Sequence, residues 1–519
     1  MSASTLLATL AMSACGATPS RDGVAVMASG ADLESANPVV TVHPLARQVQ
    51  RHVLLLTLTR YDSTLAQVPY LARRWTWAPS RRSVALHLLP GVRWHDGAPL
   101  DARDVAFTFD LVRDPATASP RAGELAMVSG TQLVDDTTFI VRFATPQGSL
   151  PPAFAELPIA PEHLLRDVPR SEMRRAPFAL APVGAGPFRF LRRDAGQRWV
   201  FERDDAFPAA LGGPPALHRL VIAVVDEPAT KMAGLVSGDL DVAGIAPTMA
   251  SLAARDPRLR VVEYPILFSV GLFFNPTRAP LDDRRVREAI SLSIDRKRLV
   301  EAVVAGYGVP AAGPVPPELP FAATTSQVDA RRAAARADSL LDAAGWRRGA
   351  DGVRTRAAAR LELELLTVGS GENAAEQLLQ DDLAKHGMVV RIRQMELGAF
   401  LAAARARPRT FDMLYTGIPG DLALSHLVAM YESRYRDGAL DYSGFHAPEL
   451  DAAFARVRSA GDASELAAAW RGLQATLAHE TPAAWIYHSR GIQGVARRLD
   501  GVAMDLRGEL ATVTRWRTR

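Results

Sequence analysis

The stretch from Leu71 to Asp110, LARRWTWAPSRRSVALHLLPGVRWHDGAPLDARDVAFTFD, constrains the fold of this chain more than any other segment. A strand carrying Trp75 and Trp77 turns at Ala78-Pro79-Ser80 into a second strand, Val84 to Leu89, with apolar residues on alternate positions. Pro90-Gly91 breaks the ladder, His95-Asp96-Gly97 makes a tight turn, and Asp101 caps a helix. Val105, Phe109 and Val112 recur three to four residues apart, so one face of that helix is apolar. The segment predicts a hairpin packed on a helix.

At 519 residues the chain is too long for one core, so several domains are expected. Hydrophobic content of 48% and charged content of 22% are ordinary for a globular protein. The formal net charge is +4, with acids and bases interspersed, and the only lysines are Lys231, Lys297 and Lys385. A nucleic-acid surface needs clustered cations with interleaved aromatics, and none is present. Arg73-Arg74 and Arg331-Arg332 read as solvated faces.

Cys15 is the single cysteine, so no disulfide forms within the chain. It follows the apolar run Leu6 to Met12 and the small residues Ser13-Ala14. That run is a signal-peptide core, since a membrane span needs about 20 apolar residues. Ser13-Ala14-Cys15 resembles a bacterial lipobox, which implies lipidation of Cys15 and a signal peptide over residues 1–15. Two features depart from that pattern: no Lys or Arg precedes Leu6, and Met12 stands where leucine is commonest. Residues Gly16 to about Gly30 are small and polar and read as a tether, with order expected from Leu33 onward.

Further along, Thr138 to Phe143 alternates like a strand and Pro161 to Leu165 reads as a short helix. In Val183-Gly184-Ala185-Gly186-Pro187-Phe188 a proline and a strand follow the glycines, so the segment is a turn and not a phosphate loop. Asp282 or Asp283 caps a helix in which Val286, Ile290 and Ile294 share a face, and Asp295 caps the next. From Ala334 helix and strand alternate, with strands at Leu361 to Thr367, Val389 to Met395 and Phe411 to Thr416 and a helix at Ala374 to Lys385. That alternation predicts an α/β fold with a parallel or mixed sheet covered by helices.

Several ordered blocks between Asn37 and Tyr487 resemble one family. They are Asn37-Pro38 leading to Tyr61-Asp62, the Leu71–Asp110 region, Gly184-Ala185-Gly186-Pro187-Phe188 and Gly238-Asp239-Leu240-Asp241. The last runs from Phe274-Asn275 through Asp282-Asp283-Arg284-Arg285-Val286-Arg287 to Ser293-Ile294-Asp295-Arg296. Together they are similar to the family 5 extracellular solute-binding proteins, the peptide- and nickel-binding components of ABC transporters. The resemblance implies a bilobal periplasmic-binding-protein-like fold, with two mixed-sheet lobes, a hinge and a small inserted domain. Lobe I would take residues 16–59, 177–266 and 488–519, the inserted domain 60–176 and lobe II 267–487.

The same resemblance implies a receptor without catalytic residues, cofactor or resident metal. It would be a monomer, anchored outside the cytoplasm by lipid on Cys15, that passes a peptide or peptide-like solute to a membrane permease. In peptide-binding members an aspartate after such a strand pairs with the ligand ammonium, which here implicates Asp421. Neighbouring backbone would hold the ligand as an added strand, which implicates Gly420, Gly417 and Tyr415. Asn275 and Phe274 fall where the chain passes between lobes in relatives, which implies backbone contact with ligand, and Asn37 belongs to the opening segment that approaches ligand there. Each position also has a plain structural reading. Asp421 can cap the helix running from Leu422 towards Met430, and Tyr415 can be a buried strand aromatic. Ile418-Pro419 and Leu422-Ala423-Leu424 replace the family's Trp and Asp-Pro, and Pro419 lacks an N–H, so a longer, modified or non-peptide ligand stays open.

Catalytic signatures are missing. There is no G-x-S-x-G, no serine three residues before a lysine, and His479-Glu480 lacks the second histidine of a zinc helix. His426 and His446 lie near the candidate ligand segment, so a receptor for nickel chelates is the rival within the binding class. An exported hydrolase with a site assembled in three dimensions is the rival of another class.

Overall fold

The computed structural model describes residues 21–323, 329–369, 371 and 373–519; the expected signal segment and lipidation site Cys15 lie outside them. Strand β1 (Val24–Ser29) comes first. A separate antiparallel sheet follows, with β2 (Ala72–Trp77) and β3 (Ser83–Leu88) as its hairpin. Helix α1 (Ala102–Arg113) then leads to β4 (Val128–Asp135) and β5 (Thr138–Phe143). The order in this sheet is β2-β3-β5-β4. Asp101 caps α1 as its position requires, and Asp104 completes a capping box by accepting from the Asp101 N–H. Val105, Phe109 and Val112 are fully buried beneath the hairpin.

The chain then supplies β6 (Phe188–Asp194), β7 (Arg198–Arg203), β8 (Arg219–Val224) and β9 (Val242–Gly244). The long β10 (Leu259–Phe274) follows, then helix α2 (Arg284–Ser293), capped by Asp283, and the short β11 (Gly308–Pro310). A βαβ unit comes next, built from β12 (Glu362–Val368), helix α3 (Ala374–Lys385) and β13 (Val389–Met395). Strand β14 (Met413–Pro419), helix α4 (Ser425–Tyr431) and the long β15 (Ala483–Ala496) complete the framework. All strands outside the small sheet and three short ladders form one mixed sheet, in the order β13-β12-β14-β10-β15-β9-β1-β8-β7-β6, with β11 on β15.

Two elements depart from the sequence reading. The expected tether contains β1, which lies inside the large sheet, parallel to β8 on one side and β9 on the other. Ala25 and Met27 are buried, and the small apolar run Val24 to Ala28 suits a strand covered on both faces. The helix expected from Leu422 begins only at Ser425, because Leu422 to Leu424 form a turn closed by the Leu424 N–H on the Asp421 carbonyl at 3.0 Å.

Strands β10 and β15 run through both halves of the sheet. Leu259–Pro265 pairs with Arg490–Ala496, and Ser269–Phe273 pairs with Ala483–His488. Between these stretches Ile266, Leu267 and Phe268 stand opposite Ser489 alone, a bulge that bends both strands. On one side of it a single core joins β1, the small sheet and the C-terminal residues to Trp516, with Tyr264 and Val495 among its members. On the other side, Leu272, Phe274, Ala484 and Ile486 pack with Val286, Leu363, Leu379 and Met413 in a second core. The halves also meet away from the bulge. Arg81 donates to the Gly461 carbonyl at 3.2 Å, Gly148 lies against the Ala460 carbonyl, and Leu65 packs on the cluster that holds Leu424 and Tyr431.

Candidate ligand-binding cleft

The bulge sets β14 beside the boundary between the halves. On one side β14 pairs with β10 along its whole length, from Phe274↔Met413 to Phe268↔Pro419. On the other side β12 pairs with it only at Leu365↔Met413 and Leu366↔Leu414 before turning away. Tyr415 to Pro419 therefore present an edge with no strand against it among the described residues, and an extended ligand can add there as a strand. Gly420 closes the strand by donating to the Leu267 carbonyl at 2.7 Å, which brings Asp421 to the bulge. A Cβ at Gly420 would stand 2.9 Å from His426 Cε1, so glycine lets the turn pass over that ring.

Asp421 is half-buried and performs the capping role that sequence allowed, its Oδ1 accepting from the Ser425 N–H at 3.1 Å. The second carboxylate oxygen is left for another donor. The Asp421 charge reaches Tyr61 from the other half, whose phenol is pushed up by burial and by the Glu156 and Asp421 carboxylates. Asp421 thus lies within electrostatic reach of the opposite half, where a charge-assisted contact in restricted solvent is strongest.

Two buried histidines lie beneath this turn. His426 has no partner for Nδ1, and burial lowers its pKa to about 4 against the opposing pull of Asp421. His488, in β15 at the bulge, shares a 2.7 Å hydrogen bond with Ser269 Oγ and is likewise lowered to about 4, first by burial and then by Arg490 and His426. Sequence reasoning missed His488, because its strand pattern carries no sign of the bulge. Tyr61 was met only as half of an aromatic–Asp pair.

The other expected site residues divide. Gly417 belongs to the open edge, but its missing side chain seats the Phe268 ring, which a Cβ would overlap. Tyr415 is half-buried and hydrogen-bonds the Tyr487 phenol, so it walls the edge as a strand aromatic. The side chains of Phe274, Asn275 and Asn37 are all buried, so any ligand contact they make is through backbone. The Phe274 ring lies wholly inside the second core. Asn275 is fully buried; its amide donates to the Phe411 carbonyl at 2.9 Å, and Oδ1 accepts from the Thr277 N–H and hydroxyl. Asn37 is fully buried too, donating to the Met173 carbonyl and accepting from the Val39 N–H. All three hold the backbone around the cleft.

His446 lies away from His426, with Nε2 3.2 Å from the buried Asp441 carboxylate and Nδ1 3.2 Å from the Tyr431 carbonyl. Among the described residues no group of three or more His, Cys, Asp and Glu side chains is placed to hold a metal ion. No helix among them is long and apolar enough to cross a membrane.

Residues 66–435 match the family description "bacterial extracellular solute-binding proteins, family 5 Middle". Protein XP55 of Streptomyces lividans is 27% identical over 436 residues, covering 83% of this chain and 78% of that protein. The dipeptide-binding protein of Escherichia coli is 24% identical over 474 residues, covering 86% and 85% respectively. Among solved structures, NikA from Brucella suis in complex with Fe(III)-EDTA superposes with a TM-score of 0.81 at 20% identity, covering 96% of this chain and 100% of that one. At that identity the likeness speaks for the periplasmic-binding-protein fold alone.

Proposed function

The chain belongs to the family 5 bacterial extracellular solute-binding proteins, and on that premise we propose that it is the peptide receptor of an ABC importer. An extended di- to oligopeptide lies along the open edge of β14, with its ammonium group on the free oxygen of Asp421. Backbone hydrogen bonds to Tyr415, Gly417 and their neighbours give affinity that does not depend on ligand side chains. The loaded, closed form docks on a membrane permease. The protein acts as a monomer and a receptor, not a catalyst, and lipid on Cys15 holds it to the outer face of the membrane. The observation that carries this reading is the unpaired edge of β14 that ends in the Asp421 carboxylate at the boundary between the halves.

Thermal unfolding of the chain from Gly16 onward, scanned with di-, tri- and oligopeptides, sugars and nickel chelates, tests it. A peptide at about 100 times its Kd stabilises the protein by about 2.7 kcal/mol, a shift of a few degrees. Asp421→Ala abolishes that shift. A response confined to chelates or sugars would overturn the substrate class. Partition of the full chain into detergent, lost in Cys15→Ala, tests the anchor.

A further inference from the structure

A second polar feature lies beside the open edge and takes no part in ammonium capture. Strands β12, β13 and β14 are parallel, so their carboxyl ends share one edge of the sheet, the position where open α/β sheets bind ligands. Helix α3 starts just past the end of β12, and between it and β13 is a cavity of about 240 Å³. Gly371, Asn373, Glu376 and Gln377 line it from the helix side and Ile392 and Gln394 from the strand, so Glu376 is the ionisable residue among its described lining.

Glu376 is only 3% exposed. Its Oε1 accepts from the Thr367 hydroxyl at 2.5 Å and from Asn373 Nδ2 at 3.3 Å, whereas Oε2 has no hydrogen-bonding partner among the described residues. An oxygen so placed is costly unless a donor, best a cationic one, reaches it. The neighbouring amides are already oriented: Gln394 Oε1 accepts from the Gly371 N–H, and Asn373 Nδ2 is spent on Val368 and Glu376, leaving its Oδ1 as a further acceptor. One carboxylate with neutral amide oxygens makes a poor metal cage but suits an ammonium or guanidinium group.

We propose that this cavity binds the cationic side chain of a lysine or arginine in the captured peptide, with the Glu376 carboxylate as its partner. The inference rests on the peptide-receptor reading and names the class of peptide preferred. Thr367, which holds Glu376 Oε1, follows Leu366, the last residue of β12 to pair with β14 (at Leu414), which places the cavity beside the Tyr415 end of the open edge. From Asp421 back to Tyr415 is a run of six residues, about 20 Å at 3.3 Å each. A peptide anchored by its ammonium at Asp421 therefore brings a side chain to the cavity within roughly its first six residues.

The test is calorimetric titration with alanine hexapeptides carrying lysine, or norleucine of similar length, at each position from the second to the sixth. At one position lysine binds about tenfold tighter than norleucine. Glu376→Gln removes that preference and leaves the norleucine affinity unchanged, which also shows that the variant is folded. Equal binding of lysine and norleucine at every position in the unaltered protein, or a lysine preference that survives in Glu376→Gln, would overturn the cation site while leaving the peptide receptor intact. If no hexapeptide binds at all, the receptor reading fails and this inference with it.

Discussion

Acidification from pH 7 to pH 5 should destabilise the protein through its buried histidines, and His426 offers the means to measure it. His52, His426 and His488 are held to folded-state pKa values of about 3, 4 and 4, in each case chiefly by burial. In the unfolded chain each returns to about 6.5. A base with a depressed folded pKa stays neutral in the folded state while the unfolded state takes up protons. Its contribution is complete above the unfolded value and is lost as the pH falls towards the folded one. Integrating between pH 7 and pH 5 gives a loss of about 2 kcal/mol for each histidine and about 6 kcal/mol for the three. Asp104, Asp241 and Glu509, whose pKa values burial raises, act in the opposite sense. A single substitution isolates one histidine from that background. In urea unfolding followed by tryptophan fluorescence, His426→Gln should lose about 2 kcal/mol less than the parent over this range. Equal losses in parent and variant would refute the reasoning, and would mean that His426 takes up its proton in the folded state with Asp421 as partner.

Two further predictions concern the contact between the halves and the packing within one of them. A Cβ at Gly148 would overlap the Ala460 carbonyl oxygen, so Gly148→Val should open the contact between the halves. Peptide affinity should fall about tenfold, some 1.4 kcal/mol, with the melting temperature of the free protein unchanged; calorimetry and thermal unfolding check both. Asp441 is fully buried beside Arg409 at 3.0 Å and His446 at 3.2 Å, and accepts from the Asp437 and Gly444 N–H groups at 2.8 Å. Asp441→Asn leaves the buried Arg409 charge unpaired and should cost about 3–5 kcal/mol in denaturant unfolding.

What the sequence by itself determined is local. Asp101 and Asp283 cap their helices because an aspartate before an apolar-periodic run satisfies N–H groups two or three residues away, and nothing distant can alter that. The parallel unit of β12, α3 and β13 was legible for the same reason, as was the family, whose blocks are short runs in a fixed order. Asp421 could be found as a carboxylate after a strand, but whether it also met the opposite half was a question about Tyr61, some 360 positions earlier in the chain.

Only the tertiary structure decided which strand edges stay open and which side chains are buried. β12 leaves β14 after two pairs, and no property of either strand alone says where pairing stops. The run Val24 to Ala28 reads as a tether until Arg219–Val224 pairs with it. That the Asn275 and Asn37 side chains are buried follows only from partners more than a hundred residues away, Phe411 and Met173. Glu376 was one acid on an amphipathic helix until folding buried it with one oxygen unpaired. In each case the deciding partner is remote in sequence, so its effect exists only once the chain has paid the entropy of bringing it near.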